Sequence, residues 1–234
     1  MSEFRLAFPA CVVAGKHRLT AEDIVLLRKH AFPEGIRTSQ DVVAMLALNN
    51  SCPEKCAEWN AFFVEQLAGF IVNHTYPQGS LDEINVAWIM RMFTTEGVVN
   101  SALELELILH VMEISAEVPG ELRALALDQL RLAITDGIGG YHLSRAVDRR
   151  SIARQDVDFA MRIFRSISAG GVIPVSPAEY GVLRQIEQAT LPGANHPHWT
   201  GIMAAVELRD RPEPRRSRWL RIVDEESVSA AAVA

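Results

Sequence analysis

The chain has little of what usually announces a function. Three cysteines, Cys11, Cys52 and Cys56, occur in 234 residues. The odd number and the lack of framework spacing argue against a disulfide-stapled secreted domain. Cys52-Pro-Glu-Lys-Cys56 is a lone CxxxC without the second pair of ligands that a structural zinc site needs. No stretch reaches the ~18 apolar residues required to cross a bilayer, so no membrane span is expected. The N-terminal "MSEFRLAFPACVVAG" is interrupted by Pro9, mixes Glu3 with Arg5 and offers a poor cleavage pattern; a cytoplasmic location is the expectation. G-x-S-x-G, H-E-x-x-H, Walker and Rossmann patterns are all missing. No catalytic residue and no cofactor is therefore singled out. Nor does any window alternate with a period of two for long enough to build a sheet.

Positive charge is also scarce. With 49% apolar and 22% charged residues the composition is that of a folded globular chain, and the net charge of −6 disfavours a protein that coats nucleic acid. The exception is local. Residues 209–221 hold six Arg against Asp210 and Glu213, a balance of +4, whereas residues 1–208 carry −7.

What is present is helical periodicity. Thr20 caps "AEDIVLLRKHAF" with Asp23 at N3, and Thr38 or Ser39 caps "QDVVAMLALNN". "CAEWNAFFVEQLAGFIVNH" places Trp59, Phe62, Phe63, Leu67 and Phe70 at buried spacing. Asp82 starts "EINVAWIMRMF", Asn100 or Ser101 starts "ALELELILHVMEIS", and Pro119 and Gly137 bracket "ELRALALDQLRLAITDG". Residues 138–150 lack periodicity and read as a linker. Helices follow at about 152–168, 176–189 and 197–208. The predicted fold is all-α: an extension (1–19), a helical half with three Gly-turn-helix units (20–137), the linker, a second half (151–208) and a basic-then-acidic tail (209–234).

Four turns share one grammar of Gly, apolar residue, cap and acid or amide: "EGIRTSQDVVAML", "QGSLDEINVAWIM", "EGVVNSALELELIL" and "GGVIPVSPAEYGVL". A longer repeat runs from Asp23 through Asp41 to Trp59, and again from Asp156 through Glu179 to Trp199. The turns look like the second half of a calcium loop, which needs oxygen ligands at positions 1, 3, 5, 7 and 9, Gly at 6 and a bidentate Glu at 12. With Gly35 at position 6, the first turn offers His30, Phe32 and Glu34, with Asp41 at 12. Gly79 gives His74, Tyr76, Gln78 and Asn85. Gly97 gives Met92, Thr94, Glu96 and Leu103. Gly171 gives Ser166, Ser168 and Gly170, with Glu179 two places late. The acidic triplet is missing each time. Shape is kept, for helix capping, and ligand charge is lost.

Tandem units of this kind, the "EGVVNSALELELIL" junction above all, resemble the tellurite-resistance TerB-like helical proteins and, more distantly, degenerate EF-hands, over roughly residues 20–206. The resemblance implies a bundle of two related halves. It also implies an acidic, metal-associated surface in a stress-response complex, whose matching positions here are Glu34, Asp41, Glu96, Glu104 and Glu179.

Two histidine sets stand apart. Glu106, His110, Glu113 and Glu117 form one helical stripe, the chemistry of a bundle metal site if a partner helix supplied a second set; the alternative is a solvated face with local ion pairing. His196-Pro197-His198 suits either a transition metal or the start of the Trp199 helix. In the tail, Arg215, Arg216, Arg218 and Arg221 surround Trp219, a combination suited to phosphate, an acidic partner or an anionic membrane surface; the alternative is a tail folded back on the acidic body or a solvated end. The expectation is a non-enzymatic scaffold that binds a protein partner through a groove or this tail, with nucleic acid reached only through the tail. The alternative is a divalent-metal-binding TerB-like stress protein or metal-dependent enzyme using the acids and His110 above.

Overall fold

The structure, a computed structural model, describes residues 15–145, 150–168 and 170–209. Its helices are α1 (Ala21–Leu26, running into a π turn Leu27–Ala31), α2 (Ser39–Ser51), α3 (Ala57–Gly69, with a π turn Phe70–His74), α4 (Glu83–Phe93) and α5 (Ala102–Ile114). They continue as α6 (Gly120–Thr135), α7 (Gly140–Ser144), α8 (Arg154–Phe164), α9 (Pro177–Ala189) and α10 (Pro197–Ala205). The fold is all-α. Its only strands among the described residues are two or three residues long: β1 (Arg18–Leu19) beside β2 (Glu54–Lys55), β3 (Thr94–Thr95) with β4 (Val98–Val99), and β5 (Ile173–Val175) beside β6 (Val206–Leu208). The first and third pairs are parallel and tie distant segments; the second is a hairpin. No helix of the described residues is long and apolar enough to cross a membrane.

Helices start where a short polar side chain can serve the free amides of the first turn. Thr20, Thr38, Asp82, Ser101 and Ser176 each accept from the N3 amide. Thr38, not Ser39, and Ser101, not Asn100, are the caps, because each stands three residues before an acid that can answer it. The last expected helix stops at Ala205, after which the chain straightens into β6 beside β5.

The interior is built on α5 and α6. Leu105, Ile108 and Met112 of α5 and Leu122, Leu125, Ala126 and Leu130 of α6 are buried. Each large aliphatic side chain so buried contributes about 1.5–3 kcal/mol. α5 packs on α3, and α6 on α9; α7 and α8 touch both α5 and α6. Trp59 is buried with Phe62 and Phe63 at centroid separations of 6.2 and 6.1 Å, edge-on to Phe62.

The linker expected at 138–150 is corrected over residues 140–144, which form α7. Tyr141 is buried against Phe159 at 4.2 Å between ring centroids. Gly140 lies so close to α5 that a Cβ there would sit 2.5 Å from the Ser101 carbonyl oxygen. A five-residue helix is too short to show a period, and its glycine, which looked like loop chemistry, is the condition for close packing.

Candidate functional site

The acids of the Gly turns come to rest on their own chain. Asp41 Oδ2 accepts from the Arg37 and Thr38 amides at 3.0 and 2.8 Å. Asn85 takes the same place at α4, accepting from the Asp82 amide at 3.0 Å, while its amide nitrogen donates to Thr75 Oγ1 and the Tyr76 carbonyl. Glu104 accepts from the Ser101 hydroxyl at 2.8 Å; its burial outweighs that bond and pushes its carboxyl above the usual range. Glu179 accepts from the Ser176 amide at 2.8 Å and from Arg123 Nε at 2.7 Å, and both partners of this ion pair are buried. In the first two turns the position that in a calcium loop would carry the bidentate ligand, Asp41 and Asn85, is here a capping position.

The remaining turn acids do not converge. Glu34 is exposed, and its contribution to the turn is a backbone carbonyl that accepts from Arg37 Nε at 2.9 Å. Glu96 is exposed, with φ of 52°, and Gly97 follows at 82°. Two positive φ values in a two-residue loop make the turn whose twist suits the β3–β4 hairpin. Buried Gln129 of α6 buckles that hairpin down: its side-chain oxygen accepts from the Val99 amide and its nitrogen donates to the Gly97 carbonyl, both at 2.9 Å. Among the described residues no three of His, Cys, Asp and Glu come together in a way that could hold a metal.

The α5 stripe is answered by arginine. Arg162 of α8 forks across both acids, donating to the two Glu106 oxygens at 2.7 Å each and to those of Glu113 at 2.6 and 3.1 Å. This hydrogen bonding holds the Glu113 carboxyl below the usual range and raises the Arg162 guanidinium. His110 Nδ1 lies 3.5 Å from Glu113. The local pairing expected of the stripe is present, with Arg162 rather than an imidazolium as its chief cation.

Two further clusters were not visible beforehand. Asp156 at N3 of α8 is buried and accepts from the Ala153 amide (2.8 Å), the Tyr141 hydroxyl (2.9 Å) and Arg145 Nη2 (2.9 Å). Burial and the adjacent Asp156 charge raise the Tyr141 phenol, which stays a donor. Asp23 of α1 is the counterpart: burial opposes its ionisation, but bonds from Lys16 and from the Thr20 amide and hydroxyl prevail and lower it. The signal in sequence was the Thr20-x-x-Asp23 spacing for the one and, for the other, only the N3 position of Asp156 behind Ala153; the cations, seven and eleven residues upstream, belong to no motif.

His196 is the N-cap of α10, its Nδ1 accepting from the His198 amide, and Pro197 occupies the first turn. Cys56 likewise stands at the N-cap of α3 and Cys52 at the C-cap of α2, where the Cys52 thiol donates to the Lys16 carbonyl at 3.2 Å. Arg215, Arg216, Arg218, Trp219 and Arg221 lie outside the described residues.

A concavity lies on the surface between α3 and α5, with a volume of about 290 Å³. Ala61, Val64 and Leu103 make its apolar floor, and Asn60, Glu65, Glu106 and His110 its rim. Glu65 is more than half exposed and meets Arg28 at 3.3 Å. Arg28 itself lies over the Phe62 ring, 4.9 Å from its centroid. Three rim or near-rim carboxylates, Glu65, Glu106 and Glu113, thus face two guanidinium groups.

Comparison with protein-family models, curated proteins and solved structures returns no match for this chain.

Proposed function

We propose that this chain is a non-enzymatic helical scaffold of the cytoplasm, TerB-like in its turns and composed of two related halves, that docks a protein partner in the groove between α3 and α5. The observation that carries the reading is where the turn acids go. Asp41, Glu104 and Glu179 hold helix starts or a buried guanidinium, so what survives of a metal-loop design serves as backbone architecture.

The groove supplies the recognition chemistry. An apolar floor of one large side chain's size, under a rim with one carboxylate more than its cations, suits a partner segment that buries an aromatic or long aliphatic residue and flanks it with Arg or Lys. Such anchor-and-rim arrangements give most of their affinity at the anchor.

The test is co-purification of the full chain against its Ala61→Arg form. Ala61 is exposed on the groove floor, so this change cancels the local excess of negative charge and fills the site without touching the core. A protein recovered with the native chain, identified as carrying a basic, apolar-anchored segment and lost from Ala61→Arg, supports the reading. A partner that binds both forms equally refutes the groove as the docking site. Elemental analysis of the same preparations bears on the divalent-metal alternative: a stoichiometric ion lost on chelation would favour it.

A further inference from the structure

We infer that two copies of this chain meet through α4, packed antiparallel about a two-fold axis at Ala87, with Glu83 of each copy facing Arg91 of the other. The face is separate from the α3–α5 groove, none of whose lining residues lies on α4. The inference goes beyond the docking reading and does not rest on it.

Three observations support it. The first is apolar exposure. The inner face of α4 is buried through Asn85, Val86, Ile89 and Phe93. Its outer face carries Ile84, which is 77% exposed, with Ala87 exposed and Met90 half-buried beside it. A surface helix that meets only water has polar residues at such positions.

The second is the order of charge. Glu83, Ala87 and Arg91 are all exposed and follow one another at i, i+4 and i+8, a single ridge of the helix. An acid stands at its start, the smallest side chain at its middle and a guanidinium at its end. Arg91 makes no ion pair among the described residues. A ridge of this kind complements a copy of itself only when the copy runs in the opposite direction. A parallel copy would set acid on acid and arginine on arginine. Self-complementarity is what a two-fold interface requires, because the same patch serves both subunits.

The third is fit. About a two-fold axis at Ala87, positions equally far from it along the helix face one another. Glu83 then meets the second copy's Arg91, four residues to either side. Ile84 meets the second copy's Met90, three residues to either side. At about 100° per residue, the members of each pair lie on opposite sides of Ala87, so they coincide across the contact rather than miss one another. Ala87 itself has no bulk to keep the helices beyond the usual 8–10 Å or so.

Sedimentation velocity of the full chain from about 5 to 500 μM reads the association. A contact one helix long falls below the ~800 Å² per partner of a stable complex, so the expected Kd is roughly 10–100 μM. In a two-fold dimer every substitution acts twice. Arg91→Glu and Glu83→Arg each set like charges opposite one another and are expected to weaken dimerisation about tenfold or more. The double variant Glu83→Arg/Arg91→Glu restores opposite signs and is expected to return the Kd to within about threefold of the native value. Ile84→Asp, at a side chain already in solvent, removes the dimer without altering either charge. Matching thermal melts show that each variant is folded. A native chain that stays monomeric over the whole range overturns the inference. Dimerisation that survives Ile84→Asp overturns it too, by moving the contact to another face. A double variant no tighter than the single ones overturns the antiparallel pairing.

Discussion

In the first Trp-led unit, the buried indole N–H of Trp59 donates to Asn49 Oδ1 at 3.1 Å; in the second, the buried Trp199 N–H has no hydrogen-bond partner among the described residues. Several positions of the two segments can be set side by side. Thr20 and Ala153 precede α1 and α8, with Asp23 and Asp156 at N3; Leu19 and Ile152, just before them, are both buried and both lie along the segment leading into the Trp helix. The Leu19 strand pairs with Glu54–Lys55, and the Ile152 carbonyl accepts from the His196 amide. Counted from their caps, Met45 and Leu48 of α2 match the buried Leu183 and Ile186 of α9. The same count sets Glu187 opposite Asn49, and Glu187 turns outward to pair with Arg184 at 2.6 Å. The first unit therefore satisfies its indole and leaves its second capping acid, Asp41, half-exposed. The second buries that acid as Glu179 against Arg123 and leaves its indole unanswered. One pattern of turns and caps tolerates both arrangements because the caps hold the backbone whichever polar groups the core encloses.

The sharpest way to break this comparison is at the two equivalent acids. Glu179→Gln leaves the buried Arg123 guanidinium facing a neutral amide, which costs about 3–5 kcal/mol. Asp41→Asn disturbs a half-exposed capping box and costs about 0.5–1 kcal/mol. Urea unfolding of both variants measures the ratio; equal losses would mean that the two caps work in the same way.

A smaller difference is expected at the indoles. Trp59→Phe removes a donor that Asn49 uses, whereas Trp199→Phe removes one that nothing accepts. The second change should cost about 1–2 kcal/mol less than the first, the price of an unmet buried donor having already been met in the native protein. Matching losses would show that Trp199 has a partner after all.

Smallest, and distinct in sign, are two pH effects. The Asp23 carboxyl is lowered, so its contribution to stability is present above the ordinary Asp range and fades as pH falls through its folded value. The Glu104 carboxyl is raised, so its contribution is present below the ordinary Glu range and fades as pH rises through its folded value. Asp23→Asn should therefore lose more stability at pH 7 than at pH 3, and Glu104→Gln less at pH 7 than at pH 4. Denaturant midpoints across pH 3–7 check both directions.

Sequence reading goes far where structure is local. Caps at Thr20, Asp82 and Ser176 follow from the distance between a short acceptor and the N3 residue, and the all-α class from a period visible in nearly every segment. It stops where partners are remote. Arg123 lies 56 residues from Glu179, and Arg162 lies 56 from Glu106, separations at which no pattern links them. The α7 clasp escaped for a different reason: a five-residue helix with Gly at its closest contact has the composition of a loop. The acids Glu34, Asp41, Glu96, Glu104 and Glu179 were legible as members of repeated turns, but their task depends on which way the backbone amides point, which spacing alone leaves open.

That task is the centre of the account: Asp41, Glu104 and Glu179 hold helix starts, and Glu179 a buried arginine as well. Thermal melting of the native protein in millimolar calcium against excess chelator tests it most directly, since an ion bound by the folded form raises the melting temperature by mass action. Coincident melts are the expected result. A calcium-dependent rise of several degrees that Asp41→Asn or Glu104→Gln abolishes would contradict it.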